Sequence, residues 1–108
     1  MTVDIREQGG SVVVGLEGEI DLQHSPAVRK ALMDLMFERR DVVVEMSGVA
    51  YIDSSGVASL VEAYQMARRN GSRFVLAAVS APALRVLQLA RLDKVFALAA
   101  TVEAGLRG

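Results

Sequence analysis

The chain has 108 residues, 52% of them hydrophobic and 23% charged, with no cysteine, no tryptophan and one histidine. That balance suits a folded domain rather than a disordered segment, and it excludes disulfides, thiolate catalysis, cysteine-ligated metal centres and any metal site built on two histidines. A net charge of −1 lacks the basic footprint of a nucleic-acid binder and leaves no large field for membrane attachment, while 5% aromatic residues offer little stacking surface for single strands.

No run reaches the roughly 18 apolar residues of a membrane-spanning helix. The segment Met1–Glu7 has neither the basic start nor the apolar core of a signal peptide. A cytoplasmic location, without membrane insertion, is therefore expected.

Val3 to Gln8 alternates apolar and charged residues, the pattern of a half-buried strand. Gly9-Gly10 signals a hairpin. Ser11 to Leu16 reads as a second strand, with Val12, Val14 and Leu16 on one face and Val13 and Gly15 on the other. Gly18-Glu19-Ile20-Asp21 is expected to be loop. Ser25 then caps a helix that has Pro26 at its first position and Val28, Leu32, Leu35 and Met36 as its apolar stripe. Arg39 and Arg40 fall at its end, where cations suit the helix dipole.

Asp41 to Met46 carries Val42-Val43-Val44, a β-branched run suited to a strand covered on both faces. A loop is expected over residues 47–52. After Asp53-Ser54-Ser55-Gly56, a helix with Val57, Leu60, Val61 and Tyr64 inward closes on Arg68-Arg69-Asn70-Gly71. Phe74 to Val79 is the next strand. Ser80 and Pro82 open a third helix with Leu84, Leu87 and Leu89 facing in, and Asp93 to Leu98 ends in a short strand. Thr101 caps a last helical turn through Leu106. Two strands followed by alternating helices and strands predict an α/β fold: about five strands in a mixed, mainly parallel sheet, packed with about four helices. Residues 1–108 are expected to form one domain.

Asp53-Ser54-Ser55-Gly56 is the densest cluster of small polar residues. As local structure it is a capped helix start, worth about 1 kcal/mol. As chemistry, a serine at a helix N-terminus also suits phosphorylation, because the free amides and the positive end of the dipole tolerate an added dianion.

Tyr51-Ile52-Asp53-Ser54-Ser55-Gly56-Val57 resembles the signature of the STAS family, especially its bacterial anti-sigma factor antagonists. Gly18-Glu19-Ile20-Asp21 with Ser25-Pro26, and Leu84-Arg85-Val86-Leu87 leading to Leu92-Asp93-Lys94-Val95-Phe96, resemble two further motifs of that family. Together they cover nearly the whole chain. The resemblance implies a STAS fold and a regulatory binding module, with no cofactor, metal or catalytic residue. Its partner would be an anti-sigma factor that is also a serine kinase, with a PP2C-type phosphatase reversing the modification. Ser54 matches the phosphorylated serine, and Ser55 is the secondary acceptor. Asp21, Asp53, Ser54, Ser55 and Gly56 match partner-binding positions. The unphosphorylated form would bind the kinase and free the sigma factor, and phosphorylation would release the antagonist.

Two positions depart from the pattern. Arg91 stands where the family commonly has a small residue, often glycine, before Leu92. Ala58-Ser59 stands where many antagonists have a second glycine. A second reading of the same resemblance is an accessory subunit of a lipid-transport ABC complex. An enzyme using Glu17, Glu19, Asp21 and Asp53 as a carboxylate cluster is a third; solvent-facing residues at a strand end explain Glu17 and Glu19 more simply. His24 reads as a loop or cap residue. Met33, Met36 and Met66 read as packing or partner-facing residues. Gly9-Gly10 lacks the lysine pattern of a phosphate loop.

Overall fold

The computed structural model describes residues 1–107. Its elements are β1 (Thr2–Gln8), β2 (Ser11–Ile20), α1 (Ser25–Phe37), β3 (Val42–Ile52), α2 (Ser54–Asn70), β4 (Phe74–Ala77), α3 (Ala81–Leu89), β5 (Ala97–Ala99) and α4 (Val102–Arg107). The five strands form one sheet in the order β1-β2-β3-β4-β5. Only the β1–β2 pair is antiparallel. The expected α/β architecture is the one observed.

Gly9 and Gly10 both take positive φ, 60° and 83°, as a two-residue hairpin turn requires. The turn fixes the β1–β2 register from Gln8↔Ser11 to Thr2↔Glu17. Alternation along β2 then sends Val12, Val14 and Leu16 into the main core and Val13 to the opposite face. Helices α1, α2 and α3 cover the main core through Leu32, Met36, Leu60, Ala63, Ala83 and Leu87. The short α4 covers Val13, Val43, Val75 and Ala77 through Val102. The sheet interior is thus buried on both sides, which explains the unbroken valine run at 42–44.

Two expected loops are strand. β2 continues through Gly18 to Ile20, and β3 continues through residues 47–52. The polar letters there follow from irregular pairing. Register shifts occur between Gly15 and Glu17 and between Gly18 and Glu19, with Gly18 at φ 97°. These extensions carry both strands to the end of the sheet where α1 and α2 begin.

The start of α1 also differs from expectation. Ser25 is inside the helix and buried, and His24 occupies the cap position without a side-chain cap bond. The main-chain carbonyl of Asp21 instead receives the N–H groups of His24 and Ser25, at 3.1 and 2.8 Å. Arg39 and Arg40 lie beyond α1, and Arg40 pairs with Glu7 of β1. Met33 and Met36 are buried packing residues. Leu89, expected to face in, is 80% exposed at the end of α3. The helix period places Ala83 and Leu87 on the sheet and turns Leu89 away.

Other helix ends follow their sequence signals. Ser80 accepts the N–H of Ala83 at the start of α3. Thr101 Oγ1 accepts the N–H of Ala104 at 3.1 Å. Gly71 ends α2 in the left-handed region at φ 73°, with the Ser72 N–H returning to the Ala67 carbonyl at 2.9 Å.

Arg91 makes the same left-handed stop after α3, at φ 60°, with the Leu92 N–H bonded to the Leu87 carbonyl at 2.8 Å. A β-carbon in that region costs about 1–2 kcal/mol. Glycine would remove this cost but add about 0.4–1 kcal/mol of unfolded-chain entropy. Arg91→Gly is therefore expected to stabilise the protein by about 0.5–1 kcal/mol. The measurement is the urea unfolding midpoint, which should rise with an unchanged slope.

Candidate functional site

The parallel strands β2 and β3 finish side by side, with Ile20 opposite Ile52. The chain leaves β3 at Asp53, whose N–H donates to the Ile20 carbonyl at 3.1 Å. This bond fixes the first turn of α2 against the β2–α1 connection. Asp21, which begins that connection, and Asp53, which precedes the serines, therefore belong to one end of the sheet. The sequence separates them by 32 positions; the parallel pairing brings their backbones together.

Asp53 is the N-cap of α2. Its Oδ1 accepts the Ser55 N–H at 3.0 Å, the Gly56 N–H at 3.1 Å and the Ser55 hydroxyl at 2.5 Å. The Ser55 hydroxyl is the strongest influence on this carboxyl. Together with the N–H groups of Gly56, Ser55 and Leu22, it outweighs partial desolvation and holds Asp53 below the ordinary carboxylate pKa. For Asp21, partial burial acts to raise the pKa. The His24 N–H, at 3.0 Å, and the His24 ring, at 2.7 Å, outweigh it and leave the carboxyl lowered. Both aspartates are thus anionic at neutral pH.

The two serines differ. Ser55 is half-buried and its hydroxyl is committed to Asp53. Ser54 is exposed as the first residue of α2, and among the described residues no side-chain hydrogen bond holds its hydroxyl. Its Oγ can be approached by another molecule without undoing the cap.

Gly56 is buried for a steric reason. A β-carbon there would lie 2.7 Å from both Ile20 Cγ2 and Ile52 Cγ1, and 2.9 Å from the Ile20 carbonyl. Glycine is what allows α2 to begin directly on the ends of β2 and β3. Ser59, one turn later, donates toward the Ser55 carbonyl at 3.1 Å and the Ser25 carbonyl at 3.4 Å, joining the starts of α2 and α1. The small, buried Ser59 thus accompanies a close approach of the two helices, while Ala58 is exposed. Arg29 of α1 grips both oxygens of Glu62 of α2, at 3.0 and 3.1 Å.

Leu22, 76% exposed, is an apolar residue that sequence patterning passed over. It lies in the turn between Asp21 and His24, and its N–H bears on Asp53. Tyr51, 51% exposed, flanks the approach to Asp53 on β3. The only signal for Leu22 was an apolar residue between Asp21 and Gln23, which periodicity does not register, whereas Tyr51 opens the signature that resembles the STAS family. Among the described residues, no group of three or more carboxylates or histidines is arranged to hold a metal ion, so Glu17, Glu19, Asp21 and Asp53 do not form a ligand set. Among the described residues, no helix is long and apolar enough to cross a membrane.

The family model for the STAS domain matches residues 2–105. Among curated relatives, the chain is 25% identical over 107 residues to an anti-sigma-B factor antagonist of Bacillus subtilis, covering 99% of this chain and 98% of that protein. It is 26% identical over 98 residues to an anti-sigma F factor antagonist of Paenibacillus polymyxa, covering 88% and 83%. The crystal structure of an anti-sigma factor antagonist from Mycobacterium paratuberculosis superposes with a TM-score of 0.89 at 28% identity, over 98% of this chain and 91% of that one.

Two outcomes follow from this geometry. Gly56→Ala is expected to destabilise the fold by about 1–3 kcal/mol, the usual effect of forcing a methyl group into a packed site, as read by denaturant unfolding. The lowered Asp53 and Asp21 contribute stability that is full above the ordinary carboxylate value of 3.8 and is lost as pH falls through their folded values. Asp53→Asn keeps a capping side chain but removes the charge, so its stability–pH curve should be flatter on the acid side than that of the unaltered protein.

Proposed function

The chain belongs to the STAS domain family, and on that premise we propose that it is an anti-sigma factor antagonist working by partner switching. It binds a cognate anti-sigma factor that is also a serine kinase, and phosphorylation of Ser54 releases it. The names and full-length coverage of its relatives support the antagonist role. The observation that carries the residue assignment is the division between the serines: Ser54 is exposed and no side-chain hydrogen bond among the described residues holds its hydroxyl, whereas Ser55 is bound to Asp53. The domain itself performs no catalysis; the kinase supplies the chemistry, and a PP2C-type phosphatase restores the binding form. All of this is assigned to the cytoplasm.

The electrostatics favour release. Ser54 follows a carboxylate already anionic at neutral pH, and Asp21 stands just past Ile20, which anchors the same loop. A phosphoserine adds about −1.5 to −2 charges. Contrary to the free amides expected at a helix start, the Ser55 and Gly56 N–H groups are already taken by Asp53. The new dianion is therefore poorly neutralised by its own helix and projects into the interface. A partner surface fitted to a neutral hydroxyl loses tenfold in affinity for each 1.4 kcal/mol of repulsion or desolvation, an approximate conversion. Because Ser54 is exposed and Gly56 and Ser55 maintain the turn, the fold survives the change.

In this reading Leu22, Asp21, Asp53 and Ser54 form the contact surface, Ser55 orders it, and Gly56 sets its position. The test uses the cognate anti-sigma factor. Incubation with ATP should place one phosphate on Ser54, mapped by mass spectrometry, and Ser54→Ala should abolish its incorporation while binding normally. Ser54→Asp should weaken binding at least about tenfold. Phosphate on another residue, or tight binding by Ser54→Asp alongside normal binding by Ser54→Ala, would overturn the assignment. Binding only to a transporter permease or ATPase would replace it with the accessory-subunit role.

A further inference from the structure

Strand β1 is an edge of the sheet, hydrogen-bonded to β2 alone. Its hairpin determines which backbone groups remain free. A two-residue turn closes on a hydrogen-bonded pair, here Gln8 with Ser11. Hydrogen-bonded and non-hydrogen-bonded pairs alternate along an antiparallel ladder. Gln8, Arg6, Asp4 and Thr2 therefore bond to β2, whereas Glu7, Ile5 and Val3 turn their N–H and C=O groups outward. The side chains of these three residues share the core face with Val12, Val14 and Leu16. At its centre Ile5 is 51% exposed, with its neighbours Asp4 and Arg6 on the opposite face. The strand has no proline, lysine or bulge to blunt this edge; its charged residues pair within the copy, Arg6 with Asp4 at 3.7 Å and Glu7 with Arg40.

We propose that this edge binds a second copy of the chain, pairing antiparallel about a two-fold axis at Ile5. This register sets Ile5 against Ile5 and Val3 against Glu7, so all six outward backbone groups find partners. It also sets Asp4 of each copy against Arg6 of the other. Those positions are non-hydrogen-bonded pairs, in which side chains approach most closely. Opposite charges are favourable there and like charges unfavourable.

The neighbouring registers lose this complementarity. Centring on Asp4 places Asp4 against itself, and centring on Arg6 places Arg6 against itself. Centring on Glu7 opposes the two glutamates. Centring on Val3 leaves Arg6 and Glu7 beyond the overlap with the strand. Only the Ile5 register joins apolar to apolar and acid to base on both sides of the axis, which is why a second copy fits this edge. The two sheets would become one of ten strands, twice the five of each copy. Since β2 and β3 run opposite to β1, the two Ser54 loops would lie at opposite ends and remain free.

Sedimentation equilibrium from micromolar to millimolar protein tests the pairing. A concentration-dependent dimer is expected. Arg6→Asp creates two like-charge pairs and should weaken dimerisation about tenfold; adding Asp4→Arg restores opposite charges and should recover it. Circular dichroism checks folding. The chain has no cysteine, so Ile5→Cys gives an independent readout. Paired Cα atoms at about 5.5 Å lie within disulfide range, so oxidation should cross-link this variant, but not Val3→Cys, whose copies are held apart. A monomer at every concentration, a dimer indifferent to charge reversal, or equal cross-linking of the two cysteine variants would each overturn the proposal.

Discussion

The functional end of this molecule depends on a contact that only glycine permits. At Gly56 the backbone of α2 presses between Ile20 and Ile52, the last residues of two paired parallel strands. A larger residue would push the helix start outward. Asp53 could then no longer hold its N–H on the Ile20 carbonyl while its side chain caps Ser55 and Gly56. Steric fit, strand pairing and capping act on the same few residues, and each requires the others. The loop is therefore ordered before any partner arrives, which lowers the entropy lost on binding.

That order is also what separates two chemically identical side chains. Both serines sit in the first turn of α2. The cap carboxylate reaches the amides two and three residues ahead, and the hydroxyl nearest it is that of Ser55. Ser54 is left facing solvent because the helix projects successive side chains about 100° apart. The two adjacent hydroxyls thus differ in availability before any other molecule meets them. Modifying Ser55 would cost the hydrogen bond that holds Asp53, whereas modifying Ser54 costs none.

Most of the architecture was legible in the sequence because hydrophobic periodicity and punctuation agree. The glycine pair, the valine run, Ser80-Ala81-Pro82 and Asn70-Gly71 each mark a boundary that sheet and helices respect. The errors cluster where tertiary contact overrides pattern. Residues 47–52 and 18–20 look polar or irregular, yet the register shifts and Gly18 keep them paired as strand. Ser25 has a capping side chain, but burial against α2 and the Asp21 carbonyl place it inside the helix. The cluster at 53–56 was legible as a capped helix start. Its relation to Asp21 came only from the family resemblance and its relation to Leu22 from no sequence signal, because a parallel pairing between distant strands creates both.

The sheet also explains how one small domain can carry two separate surfaces. The parallel pairing of β2 and β3 sends the loops that start α1 and α2 to one end of the sheet. The single antiparallel strand is held by a glycine turn at the other end of β2 and leaves one backbone edge open. A phosphate at Ser54 would change charge beyond the carboxyl ends of the parallel strands, while the proposed pairing along β1 would depend on Asp4, Ile5 and Arg6 at the side of the sheet. With a Debye length of about 8 Å at physiological salt, charges separated by more than that across solvent influence each other weakly. Under the two proposals, switching a partner at the serine loop and joining copies at the edge would therefore be physically separable events on different faces of one sheet.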